Sequence, residues 1–249
     1  MENHFDVLVV GAGISGIGAG YHLQTKCPKK SYAILEGRDT IGGTWDLFRY
    51  PGIRSDSDMY TLGFSFYPWK EKEAIANGPA ILKYLHETSE KFKINEKIKF
   101  GHYVESASWS SDNSQWELRV KSKDKIQIMT CNFIFMCSGY YSYKEGYTPD
   151  FKGIDNFNGR VVHPQKWTED INYEDKNVIV IGSGATAVTI VPEIAKKAKH
   201  VTMLQRSPTY VVSAPEKDPI AKVLQKFLPV KGAYFLVRCC LLYTSPSPR

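Results

Sequence analysis

The sequence has few cysteines, and none of them is spaced for a metal site or a disulfide framework. Its 249 residues include five cysteines, whose positions show no paired spacing. The sequence contains no CxxC motif and no cluster of histidine with cysteine. Cysteine usage of this kind is typical of a reducing compartment. We therefore expect no bound metal ion and a cytoplasmic location.

Long hydrophobic runs are lacking as well. The longest late apolar stretch, residues 232–243, is interrupted by Arg238 and is shorter than the roughly 20 residues that a membrane-spanning helix needs. A buried strand is predicted to begin at Phe5, which leaves no room for a signal peptide. The sequence therefore predicts neither a transmembrane helix nor a secretory leader.

Charge is scattered along the chain and forms no binding stripe. The formal net charge is +6, and lysines gather only briefly at 26–30 and 196–199. Because no basic face with interleaved aromatic residues is present, we expect no nucleic-acid partner. Hydrophobic residues make up 43% of the chain, which is enough for a sizeable core. The composition favours a globular protein, and the slight positive bias suits ligands that carry phosphates.

Hydrophobic periodicity predicts strand–helix–strand units near residues 5–36 and 177–206. Residues 37–70 are irregular, and a loop of this length inside a compact domain is usually functional. Residues 111–114 predict a hairpin turn. The predicted strands are 5–10, 32–35, 98–100, 103–109, 116–121, 127–136, 177–181 and 200–205, and the predicted helices are 14–24, 79–92 and 185–197.

A glycine-rich turn joins the first predicted strand to the first predicted helix. In Gly11-Ala-Gly13-Ile-Ser-Gly16, the first glycine permits a tight turn and the second lets the backbone approach a pyrophosphate. The third, Gly16, allows the helix to pack closely on the strand. The helix N-terminus offers free N–H groups, and Glu36 at the end of the second strand can accept hydrogen bonds from a ribose. This combination predicts a dinucleotide site.

A second turn of the same kind opens the second unit. It reads Gly182-Ser-Gly184-Ala-Thr-Ala187, and Arg206-Ser207 stands where an acid would close its second strand. A carboxylate would repel a 2′-phosphate, whereas an arginine pairs with one, so this site is predicted to prefer NADPH. The residues predicted to contact NADPH are Gly182, Ser183, Gly184, Ala185, Thr186, Ala187, Arg206 and Ser207.

The loop after the first unit indicates what the first site binds. Gly42-Gly43-Thr44-Trp45 resembles the FAD-contacting segment of flavoproteins that hold two dinucleotides. The paired cysteines that a disulfide reductase of similar fold carries here are lacking, which disfavours a thiol reductase. We therefore expect an α/β fold with two Rossmann-like dinucleotide-binding domains, for FAD and NADP, of the two-dinucleotide flavoprotein type and truncated.

The stretch between the two units carries the most specific resemblance. Phe157-x-Gly159-xxx-His163-xxx-Trp167 matches the fingerprint of Baeyer–Villiger monooxygenases, with Thr168 as a departure where many members have Pro or Asp. The sister family of flavin-containing monooxygenases has a similar linker that usually ends in another aromatic. Over residues 1–237 the chain is similar to the ethionamide-activating branch, on the segments 44–48, 49–60, 137–141 and 205–210.

This resemblance implies a division of the chain into parts. An FAD-binding domain would span 1–145, a linker 146–176 and the first part of an NADP-binding domain 177–238. Residues 239–249 resemble a translated cloning adaptor, so we expect a non-native tail on the first part of a longer protein. The family's catalytic arginine has no match here, and the chain alone is expected to be inactive as an oxygenase, with the apolar faces of both sheets exposed.

The implied activity is an NADPH-dependent flavoprotein monooxygenase that inserts one oxygen atom of O2 into a ketone and also oxidises soft sulfur such as thioamides. The cofactors supply the chemistry, and the protein positions and protects them. Two alternatives stay open. One is an N- or S-oxygenating flavin-containing monooxygenase, and the other is a nucleotide-binding fragment with no catalysis.

The resemblance also implies roles for single residues. Asp56 would be the catalytic acid beside the flavin, with Asp58 as the competing candidate, and Arg54 would touch NADP. His163 would be structural and not a general base, and Trp167 would pack the domain junction. The residues that would line the FAD are Gly11, Gly13, Ser15, Gly16, Glu36, Gly43, Thr44, Trp45, Asp46, Leu47 and Val104.

Overall fold

The computed structural model describes residues 3–123, 125–207, 209–211 and 217–244, with the backbone alone at 242–244. Within it the chain divides into two units. The first unit comprises residues 1–47 and 82–144, and the second comprises 48–81 and 145–249. The segment 48–81 therefore groups with the second unit, whereas the sequence analysis assigned it to the first domain. The boundaries of the FAD-binding, linker and NADP-binding parts stay predictions.

The first unit is built on a six-stranded sheet. Its strand order is β3-β2-β1-β6-β5-β4, in which β3, β2, β1 and β6 run parallel and β5 and β4 continue antiparallel. The strands are β1 (His4–Val10), β2 (Tyr32–Leu35), β3 (Ile98–Lys99), β4 (His102–Ser110), β5 (Gln115–Ser122) and β6 (Lys125–Met136). Residues 111–114 form the predicted turn between β4 and β5.

The core of this sheet forms where β1 and β2 meet the β5–β6 hairpin. The central strands are short and rich in apolar and β-branched residues, as expected for strands that are buried on both faces. Seven residues form the buried cluster: Leu8, Ala33, Leu35, Leu118, Val120, Met129 and Cys131. Burial of these side chains fixes the register of the parallel strands, because a slip by one residue would expose them.

Helix α1 (Ile14–Lys26) packs on the sheet through small residues. A side chain at Gly16 would overlap the carbonyl oxygen of Gly11, and one at Gly20 would lie 3.1 Å from Ile34 Cδ1. The helix can approach this closely only because neither position carries a Cβ. Helix α2 (Thr44–Leu47) lies in this unit, and helix α4 (Gly78–Lys91) belongs to it from residue 82 onward. A 3-10 turn spans Ile94–Lys97.

The second unit contains the shorter strand–helix–strand element. Strands β7 (Asn177–Ile181) and β8 (His200–Leu204) pair in parallel, and α5 (Ala185–Ile194) connects them. The remaining helices of the unit are α3 (Met59–Leu62), α6 (Pro219–Phe227) and α7 (Val230–Thr244), with 3-10 turns at Ile154–Asn156 and Pro164–Lys166. The segment from 48 to 81 thus adds its own elements to this unit.

Helix α7 is fastened to the end of α3 by one arginine. Nη1 of Arg238 donates to the carbonyl oxygens of Tyr60 at 2.7 Å and of Gly63 at 3.2 Å. These carbonyls close a four-residue helix, so the guanidinium satisfies acceptors that have no partner inside the helix. The helix continues to Thr244, through part of the tail expected to be non-native, and 245–249 lie outside the described residues.

Both sheets expose apolar side chains. Phe133, Phe135 and Met136 are exposed at the C-terminal end of β6, and Ile179, Ile181 and Leu204 are exposed on β7 and β8. The exposed faces that the resemblance implied are therefore present in both units. No helix within the described ranges is long and apolar enough to cross a membrane.

The elements agree with the periodicity where the pattern is strong. Strands β2 and β7 have the predicted bounds, and the other predicted strands and helices differ by a few residues at their ends. Helix α5 ends at Ile194, three residues before the predicted end, and a tight turn with Lys197 N–H bonded to the Ile194 carbonyl follows. The predictions do not include α2, α3, α6 and α7. Helices α2 and α3 have four residues each, which is too short for a periodic signal. Helix α6 is amphipathic, and its periodicity could have identified it.

We predict that Gly16→Ala destabilises the protein by about 3 kcal/mol, because the new methyl group would overlap backbone that cannot move aside. The free energy of unfolding from urea titration measures this loss. Gly232→Ala in α7 is the matched control, because no described atom lies within 4 Å of its added Cβ. An unchanged unfolding free energy for Gly16→Ala would show that α1 does not pack on the turn as described.

Candidate functional site

The first glycine-rich turn has a geometry that only glycine permits at its start. Gly11 has a φ of +106°, in the region that L side chains rarely adopt. An added Cβ there would lie 2.5 Å from the carbonyl oxygen of Cys137, the residue after β6. The turn therefore passes directly over the end of the neighbouring strand, where the carboxyl ends of the parallel strands meet.

Gly13 differs, because the fold does not require a glycine at this position. Its φ is −78°, and the nearest described atom to an added Cβ is Gly43 Cα at 3.7 Å, an ordinary contact distance. Neither backbone strain nor a steric clash therefore requires glycine here. The effect of an added Cβ would be to occupy the open space next to the turn. Gly13 is also the N-cap of α1 and gives it no side-chain cap, which leaves backbone N–H groups available to an anion. The residues present therefore fit a pyrophosphate.

Glu36 is buried at the end of β2 and points at the same turn. Its Oε2 accepts a hydrogen bond from the Ala12 N–H at 2.8 Å, and its Oε1 accepts one from the Arg38 N–H at 3.0 Å. Each carboxylate oxygen keeps a further lone pair, which suits the two hydroxyls of a ribose. The backbone of Glu36 also accepts the His102 N–H at 2.8 Å, which brings the start of β4, and with it half-buried Val104, toward this end of the sheet.

The loop after β2 closes the same region. Gly43 has a φ of +55°, and an added Cβ would lie 3.2 Å from Gly13 Cα, so the two glycines face each other. Asp46 in α2 is buried and forms an ion pair with Arg38. Thr44, Trp45 and Leu47 are half-buried around it, whereas Ser15 on the first turn of α1 is exposed. The structure therefore brings the predicted flavin-side residues of the first unit to one end of its sheet.

The second glycine-rich turn repeats the geometry of the first. Gly182 has a φ of +130°, and its N–H donates to the Leu204 carbonyl at 2.9 Å. Gly184 caps α5 with a φ of −78° and no side-chain hydrogen bond, and no described atom lies within 4 Å of its added Cβ. As at Gly13, neither the backbone conformation nor a clash requires a glycine at this position, so we infer that the open space accommodates a ligand. Ala185 is exposed, Thr186 is half-buried and Ala187 is buried along the first turn of α5.

The end of β8 lies against this second turn. The Ser183 hydroxyl donates to the Ser207 carbonyl at 3.4 Å and accepts from the Thr209 hydroxyl at 2.8 Å. Arg206 stands beside Ser207 and is exposed. The end of β8 that carries Arg206 is thus next to the turn, where a phosphate on the ribose of a dinucleotide would be expected.

The segment that follows Phe48 packs on helix α5 within the second unit. The phenol of Tyr50 lies near the Thr186 side chain, and burial raises the pKa of Tyr50. A side chain at Gly52, whose φ is +77°, would overlap Glu193 of the same helix. Farther along, Arg54 forms an isolated antiparallel bridge with Asn77 and is exposed. This segment therefore carries residues predicted to touch NADP into the unit that holds the second turn.

The structure separates the two candidate acids. Asp58 is the N-cap of α3, and its carboxylate accepts from the Thr61 N–H and the Thr61 hydroxyl, both at 2.8 Å. Asp56 is exposed, and its carboxylate makes no hydrogen bond within the described ranges. Asp58 thus has a structural task, whereas Asp56 keeps its acceptor capacity for a ligand.

The fingerprint of residues 157–167, which belongs to the second unit, is held by contacts of its own side chains. Nδ1 of His163 accepts the Gln165 N–H at 3.2 Å, and a side chain at Gly146 would overlap the imidazole ring. A side chain at Gly159 would lie 2.5 Å from Phe157 Cζ. Trp167 packs edge-on against Tyr173, with ring centroids 5.9 Å apart. The imidazole therefore caps a turn, which agrees with a structural role for His163.

Sequence reasoning missed three side chains of these sites. Arg38 forms an ion pair with Asp46, and Tyr50 lies near Thr186. The Tyr143 hydroxyl lies 3.3 Å from the position of a Cβ added to Gly43. Arg38 stands two residues after Glu36, and this spacing could have identified it. Nothing in the local pattern around Tyr50 or Tyr143 indicates such a contact. In the described part of the chain, no group of His, Cys, Asp or Glu could hold a metal ion.

Comparison with known proteins gives a consistent result. The family model described as flavin-binding monooxygenase-like matches residues 5–226. The FAD-containing monooxygenase EthA of Mycobacterium tuberculosis is 57% identical over 239 residues, which cover 96% of this chain and 49% of that protein. The chain thus spans about half the length of the curated relatives it matches.

Solved structures resemble the chain in fold. A steroid monooxygenase bound to NADP is 30% identical with a TM-score of 0.77, over 94% of this chain and 44% of that one. Cyclohexanone monooxygenase is 27% identical with a TM-score of 0.79 in its cyclohexanone-bound form, over 95% and 45% of the two chains. Its ε-caprolactone-bound form gives the same identity and score over 94% and 45%. These likenesses confirm the predicted fold class.

We predict that Gly13→Ala weakens FAD binding at least tenfold while the unfolding free energy of the flavin-free protein falls by no more than about 1 kcal/mol, the usual cost of alanine at an N-cap. The added methyl group meets no protein atom closely but stands in the ligand's space. Titration of the flavin-free protein with FAD, and urea unfolding of the same sample, measure the two effects. Equal losses in both would mean that Gly13 serves the fold and not a ligand.

Proposed function

The chain belongs to the flavin-binding monooxygenase-like family, and we propose that it forms the nucleotide-binding part of an NADPH-dependent flavoprotein monooxygenase. The first unit binds FAD and the second binds NADPH. The enzyme inserts one atom of O2 into a ketone and also oxidises soft sulfur such as that of thioamides. In the ketone reaction one ketone, one NADPH, one proton and one O2 yield one ester or lactone, one NADP+ and one water.

The observation that carries this proposal is a pair of matching turns whose strand ends have opposite charge. Both turns place a glycine of φ −78° at the start of a helix without a side-chain cap. Beside the first turn stands buried Glu36, and beside the second stands exposed Arg206. A carboxylate accepts from free ribose hydroxyls, and an arginine pairs with a 2′-phosphate. Two different dinucleotides therefore fit one chain.

In the first unit, the residues near the turn would hold FAD, which supplies the redox chemistry and the activation of oxygen. Gly11 and Gly13 leave room for the pyrophosphate, and Glu36 accepts from the ribose. Ser15 and the loop from Gly43 to Leu47 line the remainder, with Asp46 held by Arg38. Val104 contributes through its backbone near the start of β4.

In the second unit, Gly182, Gly184 and the first turn of α5 would hold the pyrophosphate of NADPH. The Ser183 hydroxyl donates to the Ser207 carbonyl, so the backbone beside Arg206 lies at the turn. Arg54 and Asp56 belong to a segment packed on the same helix. We propose that Arg54 contacts NADPH and that Asp56 is the catalytic acid beside the flavin, because Asp58 is engaged in capping α3.

Relatives support the reaction type. Cyclohexanone is a ketone and ε-caprolactone is the lactone with one more oxygen atom, and cyclohexanone monooxygenase has been solved with each of them. EthA is an FAD-containing monooxygenase. The second candidate is oxygenation of nitrogen or sulfur without ester formation. The fingerprint of residues 157–167 resembles the linkers of both Baeyer–Villiger and flavin-containing monooxygenases, which favours keeping it.

The reaction is tested with the protein from its complete gene, loaded with FAD and supplied with NADPH and air. We expect cyclohexanone to give a lactone and a methyl phenyl sulfide to give a sulfoxide, each matched by NADPH consumption, as measured by gas chromatography. Sulfoxide without any lactone would replace the ketone reaction with the second candidate. NADPH oxidation with no oxygenated product would refute both.

We predict that Arg206→Ala raises the KM for NADPH about 30-fold and leaves the KM for NADH unchanged, because a charged hydrogen bond to the 2′-phosphate is lost. Steady-state oxidation of each coenzyme measures the change. Arg119→Ala is the matched control, because Arg119 pairs with Glu105 on the β4–β5 hairpin. Equal losses for both coenzymes would exclude a role of Arg206 in their discrimination.

A further inference from the structure

Tyr143 lies at the first glycine-rich turn, although it is more than 120 residues from it in sequence. The starting point of a side chain at Gly43 would be 3.2 Å from Gly13 Cα and 3.3 Å from the Tyr143 hydroxyl oxygen. The space between the two glycines is therefore bordered by the phenol. All three residues belong to the first unit.

The ring of Tyr143 is held by a charged neighbour. The guanidinium carbon of Arg38 lies 5.9 Å from the ring centroid, and Arg38 itself is fixed by its ion pair with Asp46. A second Arg38 nitrogen contact, Nη1 to the Gly43 carbonyl at 3.5 Å, ties the same cation to the loop. The guanidinium thus lies within cation–π distance of the ring and within hydrogen-bond distance of the loop whose Gly43 borders the phenol.

The hydroxyl of Tyr143 is a donor without an acceptor. Within the described ranges it makes no hydrogen bond, although the side chain is half-buried. Burial and then the negative charge of Glu36 raise the pKa of Tyr143, so the phenol keeps its proton near neutral pH. A protonated phenol is ready to donate to an anion.

We propose that Tyr143 is a further binding residue of the first dinucleotide site and donates its phenolic O–H to the pyrophosphate of FAD. The proposal rests on the proposed function, in which this unit holds FAD. The N–H groups at the start of α1 would hold the pyrophosphate in the open space at Gly13, and the phenol would donate to it from the side of Gly43. Arg38 contributes by orienting the ring.

The test uses flavin-free protein from the complete gene, titrated with FAD and, separately, with ADP, which carries the pyrophosphate but no flavin. We expect Tyr143→Phe to raise both Kd values about tenfold, because one hydrogen bond to a charged group is lost. The Kd for NADPH at the second unit should stay the same. The phenylalanine ring keeps the stacking on Arg38, so the melting temperature should not change.

Tyr147→Phe is the matched control, because Tyr147 is 86% exposed and belongs to the other unit. Kd values for FAD and ADP within twofold of the unmodified protein in Tyr143→Phe would overturn the proposal. Tighter binding in that variant would also overturn it, because the phenol would then compete with the ligand. If the unmodified protein binds ADP and FAD at no measurable level, the proposed function itself fails.

Discussion

The close approach of α1 to the end of β1 is the constraint on which the first unit depends. A Cβ at Gly16 would overlap the Gly11 carbonyl oxygen, so the helix can sit this close only on a glycine. That contact sets where the first turn of α1 points its unpaired N–H groups. It also sets where the Ala12 N–H meets the Glu36 carboxylate. The positions proposed for the pyrophosphate and the ribose therefore depend on one helix–turn contact.

The second unit reaches a similar turn with a looser contact. Ala187 stands where the first unit has Gly16, and its methyl group is buried on α5 without displacing the turn. The backbone conformations at the two helix starts are nearly the same, whereas the residue at the end of the second strand changes from an acid to an arginine. Two turns of the same backbone geometry can therefore select different coenzymes when the residue at the strand end changes from Glu36 to Arg206.

Residues 48–81, which separate the two parts of the first unit in sequence, belong structurally to the second unit. Tyr50 lies near Thr186, and Gly52 packs closely on Glu193. Residues 48–81 therefore pack with the second glycine-rich turn, although they follow the first glycine-rich turn in sequence. Arg238 completes this unit by binding the carbonyls at the end of α3. Residues predicted to serve the flavin and residues predicted to serve NADP are consequently carried by one packed segment.

The sequence by itself determined the two strand–turn–helix units, the strand that follows each, and the charge at each strand end. These features depend on neighbouring residues, since a positive φ requires glycine and a buried strand requires an apolar run. Tertiary packing is needed to make Asp58 the cap of α3 and to leave Asp56 without a hydrogen bond in the described part of the chain. It also pairs Arg38 with Asp46 and brings Tyr143 beside Gly43. Such contacts depend on packing between segments that are distant in the chain, and no local pattern of residue types specifies them.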